Sequence, residues 1–466
     1  MALKHLIVIL PGIGGSVLGR NGKPVWDLTP AKVGRAVCVP DVLSLEEDLE
    51  PIRLVDTMTV IPGLVAVSGY NGMVRNLRKW FSPGLRIVDY APGVPIPADT
   101  DVLRVPYDFR RSIAAAAGRL DRALATEAAQ RGVVIVAHSM GGLVARDWVA
   151  EYPGSAVRCR AVITLGTPHR GAPKALDVLA NGLRLSGLRH RGATRVIRGW
   201  EGAHELLPQY PAVQVSGGVC EPTELPPEVV QPMGDPSAGA RFAAMARGAA
   251  KVHDAITTHW ANAQVPELVP FHARGHRTPN WAGVIDGRVQ VTTEDPSWRG
   301  NVGWFGDGTV PVLSTIPPEL SDRPGRWHPV LDKHIDMGAT TGVRDLLTAL
   351  MGSPVPSRGE AERPWLGLDT EDVMWAGHEY VVGGEVFGEV EGPGSSATLT
   401  VDGISVPMSL RNNRWEAVLP ELPAGVHEVV VEAHDADYGS PIWGQASVVV
   451  ETPGEEWEPD IEAGGA

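Results

Sequence analysis

Apolar runs alternate with amphipathic stretches through the first part of the chain. Leu6 to Leu10 is an unbroken apolar run, the pattern of a strand buried on both faces. Residues 85–88 and 102–105 are weaker strand candidates. Residues 112–131 are rich in Ala, Leu, Arg and Glu, and Ile113, Ala117, Leu120, Leu124 and Ala128 fall on one helical stripe. Val133-Val134-Ile135-Val136 predicts a second buried strand. Residues 142–152 predict a helix that Pro153-Gly154 stops. Residues 161–165 then read as strand and 175–180 as helix. This βαβα order predicts a doubly wound, mostly parallel sheet.

Residues 183–305 are less regular and hold many Pro, Gly, Arg and Trp. They are expected to form a cap or lid inserted into a first domain of residues 1–352, which a helix over 340–351 closes. Residues 353–372, opening on Ser-Pro-Val-Pro-Ser, are expected to be a linker. Short strand patterns follow over 373–452, separated by Asp402-Gly403, Asn412-Asn413 and Pro423-Ala424-Gly425. They predict a small all-β, immunoglobulin-like sandwich. Residues 453–466 are an acidic tail.

Charge sharpens that boundary. The chain of 466 residues has a formal charge of −14. From Ser353 onward there are 4 Arg, no Lys and 22 acidic residues, against 37 basic and 33 acidic before it. The acidic part is a poor partner for nucleic acid. Cys38, Cys159 and Cys220 have no metal-ligand spacing, and neither a metal nor a cofactor is expected. No run of eighteen apolar residues predicts a membrane span, and the short run at 6–10 lacks the form of a signal peptide. The expected location is cytoplasmic, with peripheral membrane contact as an addition.

The chemistry begins at Ala137-His138-Ser139-Met140-Gly141-Gly142, between a predicted strand and a predicted helix. That context and the small residues two places either side of Ser139 define a nucleophile elbow and predict an α/β-hydrolase fold. Serine needs a base, and the base needs a carboxylate to hold its tautomer. In this fold the acid and then the base follow the serine in sequence. The acid candidate is Asp307, flanked by Gly306 and Gly308. His334 and His328 are both candidates for the base. Two oxyanion donors are expected from the backbone of Met140 and of Ile13, in the loop Pro11-Gly12-Ile13-Gly14-Gly15-Ser16. That loop lacks the Gly-Lys-Ser/Thr ending of a phosphate loop.

Scattered over residues 6 to about 350, the motifs Pro11-Gly12-Ile13-Gly14-Gly15, Tyr107-Asp108-Phe109-Arg110-Arg111, Ala137 to Gly141, Leu165-Gly166-Thr167-Pro168, Gly306 to Val310 and His334-Ile335-Asp336-Met337 resemble the lecithin–cholesterol acyltransferase family. The resemblance implies a Ser139, Asp307 and His334 triad, with Ile13 and Met140 as oxyanion donors, and it favours His334 over His328. It departs at Phe109, where the family usually has Trp, and in the absence of the lid cysteine pair.

Lipid contact has its own candidates. Trp26, Trp200 and Trp304, with Trp281 and Trp298, are candidates to screen an acyl chain. Arg184, Arg189, Arg191, Arg195 and Arg198 are interleaved with apolar residues in a pattern suited to an anionic membrane surface. The leading expectation is acyl transfer or hydrolysis on lipid esters. The alternatives are a soluble carboxylesterase or thioesterase, and an inactive hydrolase carrying a β-sandwich that binds a protein or sugar.

Overall fold

The computed structural model describes residues 3–27, 39–56, 59–61, 65–67, 70–185, 188–230, 238–294, 306–330, 333–334, 337, 341–351, 365–371, 373–387, 392–434 and 441–451. Seven parallel strands form its central sheet: β1 (Leu6–Leu10), β2 (Ile87–Asp89), β3 (Val102–Arg104), β4 (Val133–His138), β5 (Cys159–Leu165), β6 (Glu267–Ala273) and β7 (His328–Val330). Their spatial order is β7-β6-β5-β4-β1-β3-β2. The principal helices are α1 (Tyr70–Trp80), α2 (Ile113–Leu124), α3 (Met140–Glu151), α4 (Pro173–Asn181), α5 (Ala238–Asn262) and α6 (Thr341–Leu350). This is the α/β-hydrolase fold.

Every residue of β1 and β4 is buried, which is why both read as continuous apolar runs. The direction of winding reverses between these two strands. A sheet that reverses in this way opens a crevice beyond the carboxyl ends of the strands at the reversal. Leu10 pairs with Ala137, so Pro11-Gly12 runs beside His138-Ser139 at the carboxyl ends of the two strands.

The stripe predicted over 112–131 is broken. Ser112 caps α2, which ends at Leu124, and a tight turn over Glu127–Arg131 leads into β4 through Gly132. The segment 183–305, expected as one cap, is divided. Its residues 267–273 are β6, an integral strand of the sheet, and α5 packs on α3 as the crossover that precedes it. Pro270 disguises β6 in the sequence, because proline is rare in central strands. It is tolerated here because β7 pairs with β6 only from Phe271 onward. The elements on either side include a short helix, Arg191–Ile197, and a four-stranded sheet built from residues 213–220 and 281–292.

The acidic part forms two sheets, of four and five strands, around their own apolar core. In Ser396–Val401 the residues Ala397, Leu399 and Val401 point inward, at the period of two that a half-buried strand requires. Asp402 and Gly403, and Asn412 and Asn413, all have positive φ and close two-residue hairpins. The boundary differs from the expected linker over 353–372, since Trp365–Asp369 is a sandwich strand paired with Val381–Phe387. Leu366 and Leu368 alternate inward there, a pattern too short to register beside a proline-rich stretch. The tail 453–466 lies outside the described residues. Among the described residues, no helix is long and apolar enough to cross a membrane.

Candidate active site

Ser139 stands between β4 and α3 with φ 52° and ψ −126°. A non-glycine residue in such a conformation costs ~1–3 kcal/mol and persists only where its surroundings enforce it. They do so here. Ser139 N–H donates to the Leu165 carbonyl (2.9 Å) and its own carbonyl accepts from Gly142 N–H (3.0 Å). The side chain is almost fully buried, at 4 % exposure.

The loop after β1 comes so close that a Cβ on Gly12 would lie 2.9 Å from Ser139 Cβ. Tyr107 Oη donates to the Pro11 carbonyl (2.7 Å), and Trp26 Nε1 donates to the Gly14 carbonyl (3.0 Å). These two aromatic residues fix the loop at either end. Among the described residues the Ile13 N–H has no hydrogen-bond partner. The Met140 N–H opens α3, and the first N–H groups of a helix have no acceptor within it.

Asp307 and His334 meet in a buried pair, with His334 Nδ1 2.6 Å from Asp307 Oδ2. The other carboxylate oxygen, Oδ1, accepts from the N–H groups of Thr309 (2.9 Å) and Val310 (2.6 Å). His334 N–H donates to the Asp307 carbonyl (2.9 Å), which ties the two loops together. The acid loop is held from behind by Thr278, whose Oγ1 accepts from the N–H groups of Gly306 (3.0 Å) and Gly308 (2.9 Å). Room for the pair comes from Gly166, which has φ 58°. A Cβ there would be 2.8 Å from both Asp307 Oδ2 and His334 Nδ1. His334 Nε2 is buried and has no hydrogen-bond partner among the described residues. His328, the rival, stacks on Phe271 at 5.0 Å in the edge strand β7.

A chain of hydrogen bonds links the loop after β1 to the His334 loop. Gly12 N–H donates to Tyr70 Oη (2.8 Å). Tyr70 Oη lies 3.2 Å from His138 Nδ1, and His138 Nε2 lies 2.9 Å from the His334 carbonyl. The carbonyl can only accept, so His138 carries its proton on Nε2 and Tyr70 donates to Nδ1. Burial, with the neighbouring His334 ring second, pushes the His138 pKa down to about 3, so the ring stays neutral. Burial likewise raises the Tyr70 phenol.

Beside Ser139 opens an apolar cleft enclosing about 460 Å³, open solvent at its mouth included. Ile13, Ala175, Val178, Ile197, Leu206 and Val310 contribute its apolar walls. Lys174 is the charged residue among its described lining.

Two of the tryptophan candidates, Trp26 and Trp200, are placed elsewhere. Trp200 is buried, donates to the Leu43 carbonyl (2.9 Å) and packs edge-on against Phe109, which also meets Trp26. Neither Trp26 nor Trp200 lines the cleft. Trp304 and Trp298 lie outside the described residues.

The arginine stretch separates into different uses. Arg198 donates to the carbonyls of Leu179 and Ala180 (both 2.8 Å), closing the end of α4. Arg195 pairs with Asp41 at 2.7 Å in an exposed contact. Arg191 is exposed at the start of its short helix. The backbones of Arg184 and Arg189 pair in a small hairpin.

The residues that sequence reasoning missed are Tyr70, His138, Thr278 and the role of Gly166. His138 and Gly166 stood inside recognised motifs, next to residues already singled out. Tyr70 and Thr278 carry no local signal, because their partners are far away in sequence.

The profile of a PGAP1-like alpha/beta domain matches residues 115–184, the segment that runs from α2 through the Ser139 elbow to the end of α4. No curated protein matches the chain. Similar solved structures include a metagenomic carboxyl esterase, at 20% identity over 26% of this chain and 43% of that one, with a TM-score of 0.17. Lipase B of Aspergillus fumigatus is 11% identical over 56% of this chain and 65% of its own, with a TM-score of 0.18. Fibronectin(III)-like modules of Clostridium thermocellum CbhA are 18% identical over 20% of this chain and 48% of theirs, with a TM-score of 0.17. This chain therefore spans less than two thirds of each of these structures. Likenesses at these scores bear on neither mechanism nor substrate. The resemblance to the lecithin–cholesterol acyltransferase family rests on the quoted motifs alone.

Proposed function

We propose that this protein is a serine ester hydrolase or acyltransferase that acts on acyl lipids through an acyl-enzyme. In this reading Ser139 Oγ attacks the acyl carbonyl while His334 Nε2 takes its proton. Asp307 holds the imidazole by Nδ1 and stabilises its charge. The N–H groups of Ile13 and Met140 receive the negative oxygen of the tetrahedral intermediate. His334 then protonates the leaving alcohol, and water or a second alcohol releases the acyl group from Ser139.

The observation that carries the reading is the buried His334–Asp307 pair, whose His334 carbonyl accepts from His138, the residue directly before the strained Ser139. Ser139 Oγ and His334 Nε2 share no hydrogen bond, and such bonds commonly close only when substrate binds. The apolar walls of the cleft favour an acyl chain over a polar substrate. Membrane contact is proposed for the stretch that holds Arg184, Arg189, Arg191, Arg195 and Arg198, within which Arg195 also pairs with Asp41 and Arg198 with the carbonyls of Leu179 and Ala180.

The test compares the wild type and Ser139→Ala on mixed phospholipid vesicles and on short-chain p-nitrophenyl esters. Fatty acid release that falls about 10³-fold or more in the variant supports the proposal. Release from soluble esters alone reassigns the protein to the soluble esterases. Release that does not depend on Ser139 overturns the mechanism.

A further inference from the structure

The acidic β-sandwich meets the first domain beside the residues assigned to catalysis. Asp369 ends the first sandwich strand, and its carboxylate pairs with Arg414 within the sandwich and with Arg277 across the boundary (3.5 Å). Arg277 lies between His276 and Thr278. His276 exchanges two backbone hydrogen bonds with Gly306 (both 3.2 Å), and Thr278 holds the N–H groups on either side of Asp307. The next sandwich residue, Thr370, accepts with its carbonyl from Lys333 Nζ (3.0 Å). Lys333 is only 4 % exposed and directly precedes His334.

These contacts close a ring. It runs from Thr370 to Lys333, His334 and Asp307, on through Gly306, His276 and Arg277, and back to Asp369. We infer that the corner Asp369-Thr370 of the β-sandwich braces the acid loop and the base loop against each other, with Lys333 as the positioning residue.

The inference rests on the reading of Ser139, Asp307 and His334 as a triad. A buried ammonium must find acceptors, so undocking the sandwich would remove one from Lys333 at high cost. The Arg277–Asp369 pair is partly exposed and contributes little on its own. Lys333 therefore transmits most of the constraint. A misplacement of about 1 Å at a reacting group costs up to about 10²-fold in rate. A brace on the base loop thus has a catalytic effect out of proportion to its size.

The test uses the full chain as Lys333→Met, Lys333→Arg and Arg277→Ala, with a soluble ester as substrate. Steady-state kinetics are read together with hydrogen exchange of the peptides that hold Asp307 and His334. The expected result for Lys333→Met is a kcat about 10-fold lower, KM within about twofold, and faster exchange confined to those two peptides. Lys333→Arg is expected to recover at least about half of the rate, and Arg277→Ala to lose about twofold.

A Lys333→Met protein with wild-type kcat and wild-type loop exchange overturns the brace. So does a loss of activity in which exchange rises throughout the chain and arginine gives no rescue. A Ser139→Ala control that keeps full activity overturns the triad reading instead, and the exchange data still decide the brace.

Discussion

A single methyl group on Gly166 would collide with both partners of the His334–Asp307 pair. The residue also sits at φ 58°, where alanine is strained. Gly166→Ala is therefore expected to fold, as judged by circular dichroism, and to lose about 100-fold in kcat because the imidazole is displaced. At the same scale, Tyr70 and His138 hold the His334 carbonyl through two linked hydrogen bonds. Tyr70→Phe removes two hydrogen bonds and is expected to lower kcat several-fold. His138→Gln can present an amide near Nε2 and is expected to keep more activity than His138→Asn, measured on one soluble ester.

His138 also has a consequence for stability. Its pKa falls from 6.5 to about 3 on folding, so between those values the unfolded chain binds the extra proton. Stability contributed by this group is lost as pH falls below about 6.5. Ser139, Asp307 and Ile13 stood out as candidates from local motif and chain order. His334 was separated from His328 only by resemblance to a family. Tyr70 was not legible at all, because its role depends on a contact across 68 positions.

Among the elements, β1 and β4 were legible because a parallel strand buried on both faces needs an unbroken apolar run. Fully burying each such side chain is worth ~1.5–3 kcal/mol. The hairpins of the sandwich were legible through their turn residues. By contrast β6 was hidden, since Pro270 mimics a breaker where the structure needs no ladder bond on the β7 side. Helix α2 shows a second device hidden from local sequence. Its first N–H, from Ile113, donates to Glu205 (2.6 Å), and Ser112 N–H donates to Glu201 (2.9 Å). Burial raises the Glu205 pKa from 4.5 to about 7.

The folded chain then holds a proton that the unfolded chain releases. The contribution of Glu205 to stability thus declines as pH rises from about 4.5 to about 7. Glu205→Gln is expected to flatten the pH dependence of thermal unfolding across that window. An unchanged slope would remove Glu205 as its source.

At the scale of the whole molecule, the charge asymmetry acquires a structural use. The first domain has a small basic excess and the second is strongly acidic. Two cations of the first domain, Arg277 and Lys333, meet a carboxylate and a carbonyl at one corner of the second. Composition disclosed two parts, but the linker expected over 353–372 takes in a whole strand, because five strand residues beside a proline-rich stretch read as linker.

The central claim is that Ser139 forms a covalent acyl-enzyme. Its most direct test is mass spectrometry of the protein after exposure to a fluorophosphonate, which reacts irreversibly with an activated serine. A single adduct is predicted, on the peptide that holds Ser139, absent from Ser139→Ala and strongly reduced in His334→Ala. No adduct on the folded wild type, or an equal adduct on another serine in Ser139→Ala, would contradict the account.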